Sequence, residues 1–149
     1  MKKIAFFLTA ILILSCNSDD NSSSNNNPEN RNVRQDMRDL VIGISQKAKG
    51  IKSNFAVIPQ NGIELVTENG EEDGTLAQSY LNAIDGNGQE DLLFGYDNDD
   101  EATSTEDSDY LKGLLNVSKN NGKKILVTDY CSTPSKMATS YQQNFASGY

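Results

Sequence analysis

Polar side chains that can bind hydroxyl groups or move protons stand directly after three short apolar runs of this chain. They are Gln60 and Asn61, Tyr96 and Asp97, and Asp129. In parallel α/β folds, ligands bind beyond the carboxyl ends of the strands, where the loops converge. Amides, phenols and carboxylates there suit a hydroxyl-rich ligand or proton transfer. Asp129 is the leading candidate for an active carboxylate, and its alternative role is to cap the next loop or helix.

Apolar spacing predicts the elements that must position these residues. Three- and four-residue steps predict four helices. They span Arg34 to Lys49, Leu76 to Ile84, Tyr110 to Leu115, and Met137 to Phe145, the last without a stop signal after it. Short apolar runs predict strands at 55–58, 92–94 and 125–128. Strands that alternate with helices favour parallel βαβ units, hence an α/β fold. Three strands leave an open sheet edge, so we expect a fragment of a larger sheet.

Composition excludes several classes of chemistry. The 149 residues contain no histidine, which rules out His-based triads and His metal ligands. Without Lys2 and Lys3, the chain has 11 basic and 21 acidic side chains, a formal charge of −10. This balance argues against nucleic acid and anionic lipid as partners and suits a neutral or cationic ligand. Nothing in the sequence indicates a cofactor.

The N-terminal residues have the pattern of an export signal. Lys2 and Lys3 precede an uncharged apolar run at 4–14 that closes on Ser15 and Cys16. This order predicts a signal peptide over 1–15, and its end resembles a bacterial lipobox, which would lipidate Cys16. A transmembrane anchor is the alternative, but spanning a bilayer takes roughly 20 apolar residues. The Ser/Asn-rich composition of 16–32 predicts a flexible linker before a domain at 33–149.

Two further features favour ordinary structural roles. Once Cys16 is lipidated, Cys131 is the only thiol, so no intrachain disulfide can form, and we interpret it as a semi-buried small apolar residue. The acidic loop from Asp97 to Asp107 could suggest calcium. However, an EF-hand loop needs Gly and Glu where this chain has Ala102 and Ser108, so we expect a solvated loop and no metal site.

Three stretches together resemble the barrel domain of glycoside hydrolase family 114, which is related to endo-α-1,4-polygalactosaminidases. They are NFAVIPQNGIELV, YLNAIDGNGQEDLLFGYDND and GKKILVTDYCST. The resemblance covers about 34–149 and implies about half of a (β/α)₈ TIM-type barrel. It also implies an extracellular hydrolase of amino-sugar polymers. With the lipobox, the expected location is the bacterial cell envelope, at the outer membrane or cell surface.

The resemblance also assigns roles to residues. It implies that Asp129 and Glu90 are catalytic carboxylates and that Gln60 and Asn61 contact sugar. The predicted strand at 92–94 places Glu90 toward the opposite end of the sheet, where a structural role is favoured. Because glycoside hydrolysis needs two carboxyl groups, we expect the 149-residue chain alone to be inactive. The alternative is a non-catalytic surface lipoprotein that binds glycans through a rim containing Tyr96.

Overall fold

The computed structural model describes residues 31–149, so the predicted signal peptide and Cys16 lie outside the described residues. The part from Asn32 to Tyr149 is one compact unit. Its elements in chain order are α1 (Val33–Ile51), a 3₁₀ helix (Ile63–Val66), α2 (Gln78–Ala83), β1 (Gly86–Glu90), α3 (Thr105–Asn120), β2 (Lys124–Thr128) and α4 (Pro134–Ser147). The fold is α/β with a small parallel sheet, and the described part contains no closed barrel.

All four predicted helices are present, and their ends have local causes. The side chain of Asn32 accepts a hydrogen bond from the Gln35 amide at 3.1 Å and caps α1. Ser104 caps α3 in the same way. α4 was expected to lack a stop signal, but Gly148 ends it in the left-handed conformation at φ 73°. Glycine adopts that conformation without steric cost, so α4 has its own C-terminal cap.

The two strands form a parallel pair that begins with Gly86 opposite Lys124 and ends with Glu90 opposite Thr128. The predicted strand at 55–58 needs correction, because it forms no continuous ladder. Instead, residues 57–60 run along the other side of β1, where the Val57 and Pro59 carbonyls accept hydrogen bonds at 2.8 Å. The order across the sheet is therefore this extended segment, β1 and β2.

The prediction of a strand at 92–94 is wrong. The strand is Gly86–Glu90, whose glycines and asparagine suggested the end of a helix instead. Those small residues have a packing role, since a Cβ at Gly86 would lie 2.5 Å from the Lys124 carbonyl oxygen. Glycine thus allows the close approach of β1 to β2. Leu92 follows the strand and is fully buried in the core.

The hydrophobic core lies between the sheet and the helices that cover it. Its largest members are Tyr80, Leu81, Ile63, Ile84, Leu92, Leu114 and Leu115, with Ile125 from β2. One buried polar pair joins the layers, because Ser118 on α3 donates its hydroxyl to Asn87 on β1 at 2.7 Å. This bond fixes the helix against the central strand.

α1 packs on the core with a different face from the one its apolar spacing suggested. Its buried positions are Arg38 and Ser45, with Val41 and Ile42 partly buried between them. The Arg38 side chain is almost fully buried and donates to the carbonyls of Leu65, at 2.9 Å, and of Thr67. A buried guanidinium, rather than an apolar stripe, therefore attaches α1 to the 3₁₀ helix and to the residue that follows it.

We predict that Arg38→Met lowers the free energy of unfolding by about 2–4 kcal/mol, because two carbonyls lose a charged donor in a buried place. Denaturant unfolding would measure the change. Lys47→Met is the matched control on the exposed side of α1 and should change the value by less than about 0.5 kcal/mol. Equal stabilities of the two variants would contradict the role given to Arg38.

Candidate functional site

Three chain segments bring their polar side chains together at the carboxyl end of β1. Asn61 follows the extended segment, Glu90 is the last residue of β1, and Tyr130 lies just beyond β2. The Glu90 carboxylate accepts a hydrogen bond from Asn61 Nδ2 at 2.8 Å and another from the Tyr130 hydroxyl at 2.6 Å. We call Asn61, Glu90 and Tyr130 the strand-end triad.

This arrangement corrects the expected position of Glu90. The sequence placed Glu90 at the opposite end of the sheet from Asp129, because the strand was expected to begin after it. In the structure Glu90 ends β1 and pairs with Thr128, the residue directly before Asp129. Glu90 and Asp129 therefore lie at the same, carboxyl edge of the sheet, where ligands bind in parallel α/β folds.

A tight turn fixes Asn61 against Glu90. Asn61 and Gly62 are both left-handed, with φ of 57° and 61°. Asparagine and glycine are the residues that adopt this conformation most readily. The backbone amide of Asn61 donates to the Gly88 carbonyl at 2.8 Å, and the side-chain Oδ1 of Asn61 accepts from the backbone amide of Glu90 at 3.0 Å. One asparagine thus holds both the backbone and the carboxylate of Glu90.

Hydrogen bonds tune the protonation of the strand-end triad. The Tyr130 hydroxyl, with smaller contributions from Asn61 and Gln60, lowers the pKa of Glu90 below its usual value. The same hydrogen bond raises the pKa of Tyr130, and the negative charge of Glu90 adds to that rise. Glu90 is therefore ionised near neutral pH while Tyr130 stays protonated, which suits a carboxylate that accepts hydrogen bonds from a ligand.

Asp129 lies at the same edge, but both of its oxygens are already engaged. Oδ1 accepts from the amides of Leu93 and Phe94 at 2.7 and 3.2 Å. Oδ2 accepts from the Ser140 hydroxyl at 2.6 Å and from Asn144 Nδ2 at 3.1 Å. The loop after β1 and helix α4 are thus joined through this one carboxylate.

Asp91 is the acidic residue of this edge that the strand-end rule missed. It follows Glu90 in the left-handed conformation, at φ 58°, and its Oδ1 is buried with no hydrogen-bond partner among the described residues. Burial raises its pKa, followed by the charges of Glu90, Asp129 and Asp99. Two adjacent acids, Glu90 and Asp91, were the signal in the sequence that could have identified this site. Because the strand was predicted at 92–94, both acids were expected before the strand and not at its carboxyl end.

The other residues predicted to contact a ligand, Gln60, Tyr96 and Asp97, are exposed. Gln60 is exposed and pairs with Gly88 through its backbone. Tyr96 and Asp97 are also exposed, and neither donates to nor accepts from the strand-end triad. The structure therefore brings Gln60, Asn61, Glu90 and Asp129 to one edge of the sheet, whereas Tyr96 and Asp97 are exposed and make no hydrogen bond to the strand-end triad.

Part of the acidic loop is structural, contrary to the expectation of a purely solvated segment. Asp100 Oδ1 accepts hydrogen bonds from the amides of Ser132 and Thr133, both at 2.9 Å, and Oδ2 accepts from the Thr133 hydroxyl at 2.6 Å. These bonds hold the pKa of Asp100 far below its usual value. Asp100 thus caps the start of α4, the helix that supplies Ser140 to Asp129.

An apolar groove of about 490 Å³ adjoins Asp129. It lies between β2 and α4, and its lining includes Leu126, Val127, Met137 and Phe145. Leu126 and Phe145 are largely exposed there. β2 pairs only with β1 within the described residues, so its outer edge is open beside this groove.

The described residues contain neither a membrane-crossing helix nor a metal cluster. No helix within 31–149 has both the length and the apolarity to span a bilayer. The same part of the chain has no group of three or more Cys, Asp or Glu residues placed to hold an ion. Cys131 is half-buried, and burial raises the pKa of its thiol.

No family model matches the chain, and no curated protein matches it.

We predict that Asp91→Asn raises the thermal unfolding midpoint at neutral pH. The folded-state pKa of Asp91 lies above its unfolded value of about 3.9, so ionisation costs stability once the pH rises through that value. Asparagine tolerates the left-handed backbone and removes the charge. The gain should disappear near pH 3, where both states are protonated.

Asp73→Asn, at an exposed carboxylate remote in sequence, is the control and should change the midpoint little at either pH. A lower midpoint for Asp91→Asn at pH 7, or an equal gain at both pH values, would show that the charge of Asp91 is not what destabilises the fold.

Proposed function

We propose that the carboxyl edge of the sheet is a saccharide site and that its function is hydrolysis of an extracellular amino-sugar polymer, of the endo-α-1,4-polygalactosaminidase type. The observation that carries this proposal is the strand-end triad. An ionised carboxylate, an amide and a phenol from three neighbouring segments converge on one point. Carboxylate, amide and phenol groups are the hydrogen-bonding partners that a sugar's hydroxyl and amino groups require.

The charge of this edge favours an amino sugar over a neutral one. Every charged group that shifts the pKa of Asp91 is an acid, and the same holds for Tyr130. Lys136, one of the two basic residues nearest to Tyr130 in sequence, is paired with Asp100 at 3.3 Å. The edge is thus a concentrated negative field, and a protonated amine on the polymer would be attracted to it.

Two neighbouring carboxyl groups with oppositely shifted pKa values support acid–base chemistry. Glu90 is held ionised, and Asp91 keeps its proton to higher pH than an ordinary aspartate. Environments that separate two carboxyl groups in this way divide the roles of acid and base in glycosidases. In this proposal Glu90 contacts the sugar, Asp91 is the second carboxyl group, and Asp129 holds the surrounding loops.

The proposed site belongs to about half of a (β/α)₈ barrel. The parallel order of the sheet, the helices between its strands and the open outer edge of β2 support this part of the proposal. A further parallel strand beside β2 would cover Leu126 and the adjoining groove. Lipidation of Cys16 would then hold the domain at the bacterial cell envelope.

A non-catalytic glycan-binding lipoprotein is the second candidate. The observation that favours it is the state of Asp129, whose oxygens already accept four hydrogen bonds. A carboxylate that joins two structural elements is poorly placed to take or give a proton. If Asp91 does not act either, Glu90 is left without the partner that hydrolysis requires.

We predict that the chain binds α-1,4-linked galactosamine oligomers and that Glu90→Gln lowers the affinity by about tenfold or more. Loss of a charge-assisted hydrogen bond to the ligand amine accounts for a change of this size. Isothermal titration calorimetry would measure it, with Asp73→Asn as a control that also removes one exposed carboxylate. Equal affinities of the two variants would remove Glu90 from the site.

We also predict that the 149-residue chain releases no reducing ends from the same polymer, because the second half of the barrel wall is needed to enclose the scissile bond. The assay would use the purified chain with its binding already verified by calorimetry. Measurable hydrolysis would contradict the proposal that this chain is half of a barrel, while leaving the saccharide site intact.

A further inference from the structure

Tyr130 supplies the phenol of the strand-end triad, although much of its side chain faces solvent. The residue is 43% exposed, and its hydroxyl donates to Glu90 at 2.6 Å. An exposed side chain loses rotamer freedom when it is held in one place, so such a bond forms readily only if the backbone already aims the side chain at its partner. The position of the hydroxyl therefore depends on how firmly the Tyr130 backbone is fixed.

The loop after β1 binds both backbone polar groups of Tyr130. The Tyr130 amide donates to the Phe94 carbonyl at 3.1 Å, and the Tyr130 carbonyl accepts from the Asp100 amide at 2.7 Å. Gly95 also approaches Tyr130 closely, since a Cβ at Gly95 would lie 2.9 Å from the Tyr130 Cβ. One loop thus fixes the backbone from which the phenol extends.

The side chain of Asp100 binds the residues that follow Tyr130. Its carboxylate accepts the amide hydrogen bonds of Ser132 and Thr133, and Lys136 donates both to this carboxylate and to the Asp100 carbonyl. Asp100 is in the left-handed conformation at φ 66°, which aspartate adopts more readily than most residues. Asp100 therefore binds the chain at Tyr130 through its backbone and just beyond Tyr130 through its side chain.

We infer that Asp100 is a positioning residue of the proposed site, which fixes the Tyr130 backbone so that the Tyr130 hydroxyl reaches Glu90. The inference rests on the proposed function, since it gives the strand-end triad the same role in binding a saccharide. The hydrogen bonds of Asp100 go to the chain between Tyr130 and Lys136, so Asp100 acts on Glu90 through Tyr130. Part of the acidic loop thereby supports the site.

The pKa of the Glu90 carboxyl group reports whether the Tyr130 hydroxyl is in place. The hydrogen bond from Tyr130 is the main cause that lowers this pKa. Asp91 and Asp99 are the other acids whose charges act on Tyr130, and Asp91 is adjacent to Glu90. Removal of a nearby acid lowers the pKa of the carboxyl groups that remain, whereas loss of the Tyr130 hydrogen bond raises that of Glu90. The direction of the change therefore separates the two effects.

Two substitutions of Asp100 separate its hydrogen bonds from its charge. Asp100→Gly keeps the left-handed backbone and removes the acceptor, whereas Asp100→Asn removes the charge and keeps an oxygen that can accept from the two amides. The carboxyl ¹³C signal of Glu90 is followed against pH. We expect Asp100→Gly to raise the pKa of Glu90 toward its value in Tyr130→Phe, and Asp100→Asn to leave it unchanged or lower. Asp99→Gly, at an exposed acid of the same loop, is the control and should give no rise.

The absence of a rise in Asp100→Gly, or an equal rise in Asp100→Asn or Asp99→Gly, would overturn the inference. The dispersion of the amide signals shows whether each variant is folded. If Asp100→Gly is not, Thr133→Val takes its place, because it removes one hydrogen bond to the Asp100 carboxylate and keeps both amides. It should raise the pKa of Glu90 by a smaller amount, and there too the absence of a rise would overturn the inference.

Titration of the same variants with the α-1,4-linked galactosamine oligomer keeps this inference distinct from the proposed function. Asp100→Gly should bind the oligomer about threefold or more weakly than the unmodified protein, and Asp100→Asn about equally well. A raised pKa of Glu90 in Asp100→Gly, together with no oligomer binding by the unmodified protein, would support the positioning by Asp100 and contradict the saccharide site. Equal affinities of Asp100→Gly and the unmodified protein would overturn the role of Asp100 in binding.

Discussion

The close approach of three extended segments along β1 is the constraint on which the rest of the structure depends. β1 is flanked by the segment at 57–60 and by β2, and it contains no large apolar side chain. A Cβ at Gly86 would lie 2.5 Å from the Lys124 carbonyl oxygen, whereas one at Gly88 would meet only the flexible end of the Gln60 side chain. Because Gly86 has no side chain, β1 and β2 pair closely, and their carboxyl ends reach one another. The strand-end triad is a direct result of this packing.

The carboxylates at this edge are of two kinds. Some accept hydrogen bonds that connect structural elements, and one, Asp91, is in an unfavourable environment. Asp100 and Asp129 accept several hydrogen bonds each and connect the loops to α4. Asp91 has a buried oxygen without a partner, a left-handed backbone and acidic neighbours. Folded proteins retain such unfavourable arrangements mainly where function requires them. This contrast is our reason for proposing that the chemistry occurs at Glu90 and Asp91 and that Asp129 has a supporting role.

Elements with a regular pattern of apolar side chains could be predicted from the sequence. The helices could be predicted because their apolar positions repeat, and β2 could be predicted because its apolar run is uninterrupted. β1 could not, since a strand made of glycine, asparagine and glutamine has no hydrophobic pattern and its stability comes from the neighbours that close on it. Because the strand was predicted at 92–94 and not at Gly86–Glu90, Glu90 was assigned to the wrong end of the sheet and Asp91 was not identified as a site residue. The packing face of α1 was also missed, because a buried arginine anchors it.

Amide chemical-shift mapping would locate a saccharide bound at the carboxyl end of β1. The ¹⁵N-labelled protein is titrated with an α-1,4-linked galactosamine oligomer, and each backbone amide is followed. We expect the largest shifts at Asn61, Glu90, Asp91 and Tyr130, which belong to three chain segments that meet only in the folded sheet. Shifts confined to other surfaces, or no shifts at millimolar oligomer, would show that the saccharide does not bind at this edge.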